Sequence, residues 1–287
     1  MLGLTAVLLW STVATAFKLA LVELDIFQLL FYGVLVSALS LLLMVLLRGN
    51  HGLLWQYARR RLLFFLAMGL LNPVIYYLVL FRAYDLLPAQ QAQPINYTWA
   101  ITMALLAVPL LGQRLSGRDI FAAFMCYAGV LVIATRGDLL QIRFDSVEGV
   151  AWALFSTVIW AVYWLANTRA SHDPVVGLCL SFLLAVPLTG ALCVIYSDPL
   201  DVSSRGLAAA AYVGLIEMGI TFALWASALR MASGVARIGN LIFLSPLISL
   251  FFIASVLGEP IEPATLVGLA LIIPALWLQQ SQSTSQF

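Results

Sequence analysis

The sequence predicts an all-α integral membrane protein in which ten transmembrane helices form two inverted five-helix repeats around a central cavity. Three observations carry this. The 287 residues are 63% hydrophobic and only 9% charged, and a mean hydropathy of +1.03 exceeds what the core of a water-soluble domain needs. Apolar runs of about 20 residues, the length that crosses a ~30 Å hydrocarbon layer, recur at 2–22, 26–47, 61–81, 89–110, 117–135, 149–168, 175–196, 206–229, 236–256 and 262–279. The first five runs also lie over the last five at an offset of about 146. Periods near 3.6 and Ala/Leu richness argue helices, because the strands of a membrane barrel would alternate over about ten residues.

Taken in order, the first run has the small-residue Ala14-Thr15-Ala16 of a signal-peptide cleavage site, but no basic stretch precedes its apolar core, so it is kept as a helix. Lys18, the single lysine, falls near its outer end, where it can snorkel to the interface or attract a solute carboxylate. The third run sets Asn72 and Tyr76 one turn apart, with Pro73 and Tyr77 beside them. The fourth is polar over its outer half: Gln90, Gln91, Gln93, Asn96, Tyr97, Thr98 and Trp99, with Pro94 among them. Facing lipid, such amides would go unsatisfied. A wet vestibule accounts for polarity that runs from the outer end to the middle; hydrogen bonds to neighbouring helices are the alternative.

Cys126, Cys179 and Cys193 all fall inside runs, are odd in number and lack metal-ligand spacing, so they read as buried small hydrophobes. In the sixth run Ser156, Trp160, Tyr163 and Asn167 share one helical face, with Trp164 beside them. The overlay carries that face onto Trp10, Ala14 and Phe17. Tryptophan also anchors helices at membrane interfaces, and depth separates the two roles: Trp10, Trp99 and Trp160 sit near mid-span, whereas Trp55, Trp152, Trp225 and Trp277 lie in a loop or towards ends. The eighth run carries Glu217, twelfth of the residues 206–229, with Thr221 one turn on. A carboxylate at that depth costs about 2.5–3.5 kcal/mol on insertion scales, which marks it as functional unless a structural hydrogen bond holds it. Pro73, Pro94 and Pro246 interrupt three spans as hinge candidates or tolerated kinks.

Basic residues set the orientation. An inward N-terminus places Arg48, Arg59, Arg60, Arg61, Arg114, Arg118, Arg169, Arg230 and Arg237 inside, against Lys18, Arg82, Arg136, Arg143 and Arg205 outside. Both termini are then cytoplasmic. In the overlay Gly3 meets Gly149, "LLG" at Gly112 meets "VLG" at Gly258, and "GLLNPVIYYLVLFRAY" from Gly69 meets "GLIEMGITFALWASAL" from Gly214, which sets Asn72 on Glu217. A five-helix unit crosses an odd number of times, so its second copy is inverted, an arrangement of transporters with a site near the midplane between halves. The units are 1–136 and 149–280, joined by a loop at 137–148.

Two longer stretches, "AYDLLPAQQAQPINYTWAITMALLAVPLLGQRLSGRDIFAAFMCYAGVLVIA" and "ALRMASGVARIGNLIFLSPLISLFFIASVLGEPIEPATLVGLALIIPALWL", resemble two EamA-type units of the drug/metabolite transporter (DMT) superfamily. The resemblance covers almost the whole chain. It implies in each unit a short outer turn, a helix with a mid-membrane proline, and Leu-Gly-Glu at that helix's cytoplasmic end. "SPLIS" and the Glu259 triplet fit, while the first half has Trp99-Ala100 for the proline and Gln113 for the Glu. That departure and "PINYTW" are similar to the aromatic amino-acid exporters of the superfamily. The resemblance implies an inner-membrane exporter of aromatic and other neutral amino acids working by alternating access.

The substrate-binding candidates are Trp10, Asn72, Tyr76, Tyr77, Gln93, Asn96, Tyr97, Trp99, Trp160, Tyr163, Trp164 and Glu217. Rings would stack on the solute's ring, aromatic faces or Glu217 would hold its ammonium, and amides would orient its carboxylate. The same aromatic box with one acid serves an organic-cation or multidrug exporter equally well. Phosphorylated solutes would call for embedded cations, which are missing at midplane depth. An intramembrane enzyme is disfavoured, since His51 and His172 lie in predicted loops and no HExxH, GxSxG or paired carboxylates occur within a helix. A purely structural membrane protein would not need mid-membrane amides. The expectation is a chain in a lipid bilayer carrying a small-molecule solute, with no cofactor, no metal and no nucleic acid; a monomer suffices.

Overall fold

The computed structural model describes residues 2–112, 116–138, 145–168, 172–231, 242 and 244–283. Every regular element among them is helical. Seven helices are long and apolar enough to cross a membrane: α1 (Leu2–Glu23), α2 (Ile26–Leu47), α4 (Leu62–Leu86), α7 (Gly117–Ala134), α8 (Val147–Thr168), α9 (Pro174–Tyr196) and α10 (204–231). Two further helices have shorter apolar stretches, α11 (Leu244–Leu257) and α12 (Pro263–Ser283), the latter apolar over Pro263–Leu278. The fourth predicted run is divided into α5 (Ala89–Tyr97) and α6 (Trp99–Leu111), meeting at Thr98. Pro94 offers no N–H to the preceding turn, and the Thr98 hydroxyl donates to Ile95 O at 2.8 Å, competing with the backbone ladder. Residues 48–60, read as a loop, contain helix α3 (His51–Arg60), with Arg59 over the Trp55 ring at 4.6 Å. Gln113, Arg114, Arg143, Arg169, Arg237 and the start of the ninth run lie outside the described residues.

Local chemistry sets the helix ends. Asp25 accepts from the N–H groups of Phe27 and Gln28 while Gln28 accepts from Asp25 N, a capping box that starts α2. Asp173 caps α9, with Pro174 in its first turn. Gly112 and Gly258, matched in the overlay, both end their helices at φ +68°, a left-handed conformation that a side chain would strain.

Outward-facing side chains are apolar: Leu47, Leu63, Phe124, Ile195 and Phe251 are each more than half exposed. Such a surface suits lipid rather than water. Inside, α1 lies against α10 and α11, α8 against α4, α5 and α6, α2 against α9 and α10, and α7 along α12. Close crossings depend on glycine. A Cβ on Gly69 of α4 would lie 2.5 Å from Ser181 O of α9, and one on Gly214 of α10 would lie 2.3 Å from Gly33 O of α2. Gly69 leads into the irregular segment Leu70–Ile75, with Asn72 at φ −142°, ψ 113°, and Gly214 lies within the wide-turned segment Val213–Ile220 around Glu217.

Two loop faces close the bundle. On one, Arg82 pairs with Asp85 and Glu148, Arg136 with Asp145, Gln28 donates to Asp198 O and Asp201 O, and Ser203 to Glu23. On the other, the Tyr57 hydroxyl of α3 accepts from Asp173 N at 2.9 Å. Glu259 belongs to the first face, where it caps α5 by accepting from Ala89 N at 3.1 Å and Gln90 N at 3.5 Å. This corrects the cytoplasmic position drawn from the family pattern: Glu259 shares a face with Arg82 and Arg136, which the charge count sets outside. Lys18 does not snorkel, since its ammonium donates to Tyr84 O at 2.9 Å and Leu87 O at 3.2 Å, capping the C-terminus of α4. The three cysteines are free and buried.

Candidate functional site

Where α1, α4, α5 and α6 meet α8 and α10, side chains enclose a cavity of about 100 Å³, several times the ~10–15 Å³ one water occupies by this measure. Nine of the twelve predicted residues line it: Trp10, Tyr76, Gln93, Asn96, Tyr97, Trp99, Trp160, Trp164 and Glu217. Helical spacing brings them together, since Trp160 and Trp164 lie one turn apart on α8, as do Gln93 and Tyr97 on α5.

The rings form a continuous wall. Trp160 stacks on Tyr76 at 4.5 Å between centroids and on Tyr163 at 5.5 Å, and Phe222 meets both Trp160 and Trp10 edge-on at 5.6 Å. Edge-to-face and offset pairs of this kind each contribute about 0.5–1.5 kcal/mol beyond burial. Among the polar groups, Asn96 Nδ2 donates to Ser156 Oγ at 2.8 Å and reaches the Tyr76 hydroxyl at 3.4 Å. The Tyr97 hydroxyl donates to Ser245 Oγ at 2.8 Å, tying α5 to α11.

Glu217 is 9% exposed. One carboxylate oxygen takes a long contact from the Tyr77 hydroxyl at 3.5 Å, the other accepts no geometrically sound hydrogen bond, and the Trp10 side chain approaches nearby. Among the described residues, no Lys or Arg lines the cavity. The carboxylate therefore faces an aromatic space with acceptor capacity to spare, which suits a cationic or ammonium group.

Three predicted residues stand behind this wall. Tyr77 is fully buried and touches the cavity through Glu217. Tyr163 supports Trp160 and faces a neighbouring cavity. Asn72, the overlay partner of Glu217, is fully buried away from the space. Seven lining residues were not singled out: Val13, Phe17, Leu80, Tyr84, Phe222, Trp225 and Ile242. Trp225 is the clearest correction. Placed towards a span end by its position in the sequence, it packs on Trp10 at 5.4 Å and is 8% exposed. Spacing carried a signal, because Trp225 lies two turns beyond Glu217 and one beyond Thr221.

The wet vestibule is also corrected. Gln90 donates to Pro260 O at 2.8 Å and accepts from Glu262 N and Thr265 Oγ1, while Gln91 donates to Asp145 at 2.8 Å. These amides bind α5 to α12 and to the 145 region, and only Gln93 and Asn96 reach the cavity. Of the hinge candidates, Pro73 sits at the helix break beside Asn72, Pro94 lies one turn before the Thr98 break, and Pro246 falls in the first turn of α11, where a missing N–H costs little.

With this geometry in place, the chain can be compared with known proteins. The model of the EamA-like transporter family matches residues 1–135 and 147–279. The aromatic amino acid exporter YddG of Ancylobacter novellus is 28% identical over 95% of this chain and 93% of its own. An uncharacterized transporter of Archaeoglobus fulgidus is 24% identical over 97% of this chain and 95% of its own. A crystal structure of another protein superposes with a TM-score of 0.69 over 96% of this chain and 94% of that one, at 23% identity, a likeness of fold alone.

Proposed function

The chain belongs to the EamA-like transporter family and is a multi-pass membrane transporter of a small-molecule solute, and on that premise we propose that it exports aromatic and other neutral amino acids across the bacterial inner membrane. The observation that carries this reading is one under-used carboxylate, Glu217, in the same ring-walled cavity as the amides of Gln93 and Asn96. The solute's ring stacks among Trp160, Tyr76 and Trp10, its ammonium meets Glu217, and its carboxylate takes the amide donors. The likeness to an aromatic amino acid exporter supports the same solute class.

The proposal includes ten spans in two inverted halves, residues 1–136 and 149–280, with both termini cytoplasmic, and movement by alternating access of the halves. Several features support the inversion. The paired crossings at Gly69 and Gly214, the irregular segments Leu70–Ile75 and Val213–Ile220 beside them, and the left-handed ends at Gly112 and Gly258 recur at offsets of about 145. The family model also matches in two segments.

A second reading has its own observation. Among the described residues no cation lines the cavity to meet a carboxylate, which favours an organic-cation exporter of the same family. Proteoliposomes carrying the purified chain decide between them. Radiolabelled tryptophan, phenylalanine and tyrosine are expected to move, with unlabelled neutral amino acids competing. Flux of an organic cation such as tetraphenylphosphonium, without flux of any amino acid, would hand the site to the cation reading.

A further inference from the structure

A second cavity, of about 190 Å³, opens beside the central one toward the face that carries His172. Trp164, Phe222 and Trp225 belong to both walls, so these three side chains are the partition between the two spaces. Two of them meet their neighbours by edges, Trp164 on Trp160 at 83° and Phe222 on Trp160 at 69° and on Trp10 at 88°, while Trp225 lies tilted on Trp10 at 59°. An edge-on ring clears a passage by rotating about two side-chain torsions. Phe222 and Trp225 also ride on the turns just beyond the wide segment Val213–Ile220, where backbone hydrogen bonding is already irregular.

The second space has a definite chemistry. Its wall includes Phe65, Tyr163, Leu178 and Ala223, with Asn167, His172 and Ser181 as polar groups and, among the described residues, no Asp, Glu, Lys or Arg. A bare ion would lose hydration there without a counter-charge, whereas an uncharged ring gains burial. Packing defects of this size are rare in natural interiors. The first half fills the corresponding region: Phe17 and Tyr77, which align with Tyr163 and Phe222, close with Phe81 into a fully buried ring cluster.

We infer that the second cavity is a transit site for the solute's ring, an uncharged indole, phenol or phenyl group that crosses the Trp164–Phe222–Trp225 partition and rests there between the central cavity and the His172 face. That the ring arrives as part of an amino acid rests on the function proposed above; that the space takes a ring rests on its own walls.

The test is equilibrium binding of radiolabelled indole and L-tryptophan to the purified full chain in nanodiscs, with empty nanodiscs subtracted. Indole is expected to occupy two sites in the parent chain and one in Leu178→Trp, which fills the second cavity from a residue that does not line the first. Val175→Phe fills the same space from another residue and replaces Leu178→Trp if that variant is not monodisperse. L-tryptophan flux in a filled variant is expected to fall about tenfold, with the central site's affinity kept, the signature of a lost step after binding. A single indole site in the parent, or two in the filled variants, overturns the transit site. Indole binding that the fillers remove, together with no L-tryptophan binding, sinks the amino-acid reading and leaves the ring site standing.

Discussion

Replacing Glu217 by Gln keeps the volume and hydrogen-bonding shape of the side chain and removes only its charge. Because one carboxylate oxygen has just a 3.5 Å contact from Tyr77 and the other accepts no geometrically sound hydrogen bond, the fold leans little on that charge and the substitution should leave folded yield near the parent's. Its effect should fall on the solute. A hydrogen bond to a charged group contributes about 1.5–3 kcal/mol, which at ~1.4 kcal/mol per decade is roughly a ten- to hundredfold loss of affinity. Isothermal titration of L-tryptophan against both proteins reads this directly, with indole as a control that lacks the ammonium and should bind both alike. Equal L-tryptophan affinity and equal flux in the two proteins would refute the assignment and return Glu217 to a structural role.

Trp160→Ala removes the ring that stacks on Tyr76 at 4.5 Å; amino-acid flux in proteoliposomes should drop roughly two- to tenfold, as the ~0.5–1.5 kcal/mol of one lost stacking partner implies, and unchanged flux in monodisperse protein would show that the aromatic wall is not the site. Gly214→Ala forces a Cβ to within 2.3 Å of Gly33 O, and Gly69→Ala one to within 2.5 Å of Ser181 O. Each should cost about 1–3 kcal/mol of overpacking, read as a lowered melting temperature, whereas Gly52→Ala, with nothing within 4 Å, should not; a Gly214→Ala protein as stable as the parent would mean the α2–α10 crossing is looser than described. Single cysteines at positions in 48–60 and 137–147 should be labelled by an impermeant maleimide from opposite sides of the membrane, and labelling from one side would remove the inverted topology.

How much of this was legible depends on what a residue's chemistry demands. Trp10, Asn96, Tyr97, Trp160 and Glu217 could be assigned to a cavity because polar groups and large rings at mid-span have few other destinations in a bilayer. Gln90 and Gln91 show the limit of that reasoning. Their amides had to be satisfied, but water, Pro260 and Asp145 satisfy them equally well, and only the three-dimensional structure says which does. Phe222 and Trp225 escaped for a different reason. By depth Trp225 falls towards the span end, although it lies two turns beyond Glu217, and Phe222 is one more apolar ring in an apolar run. Val13, Leu80 and Ile242 carry no signal, since an apolar side chain facing a cavity looks the same in sequence as one facing a core.

The comparison of Asn72 with Glu217 goes further than either residue alone. Each lies three residues after a glycine that permits a close crossing, Gly69 and Gly214, but the helix breaks at Asn72, with φ −142° and ψ 113°, and continues as the wide-turned segment Val213–Ile220 through Glu217. Their side chains differ as well. Glu217 opens on the central cavity, while Asn72 is fully buried among neighbouring side chains behind Tyr76. On the proposed function, two halves exchange shapes between the membrane's sides by alternating access, and a solute with one ammonium needs its counter-charge in only one of them, which Glu217 supplies from the cavity wall. With no second acid among the described residues of the cavity wall to share a proton with Glu217, the proposed role of the residue is to hold the solute, and any dependence of flux on pH would act through that binding step.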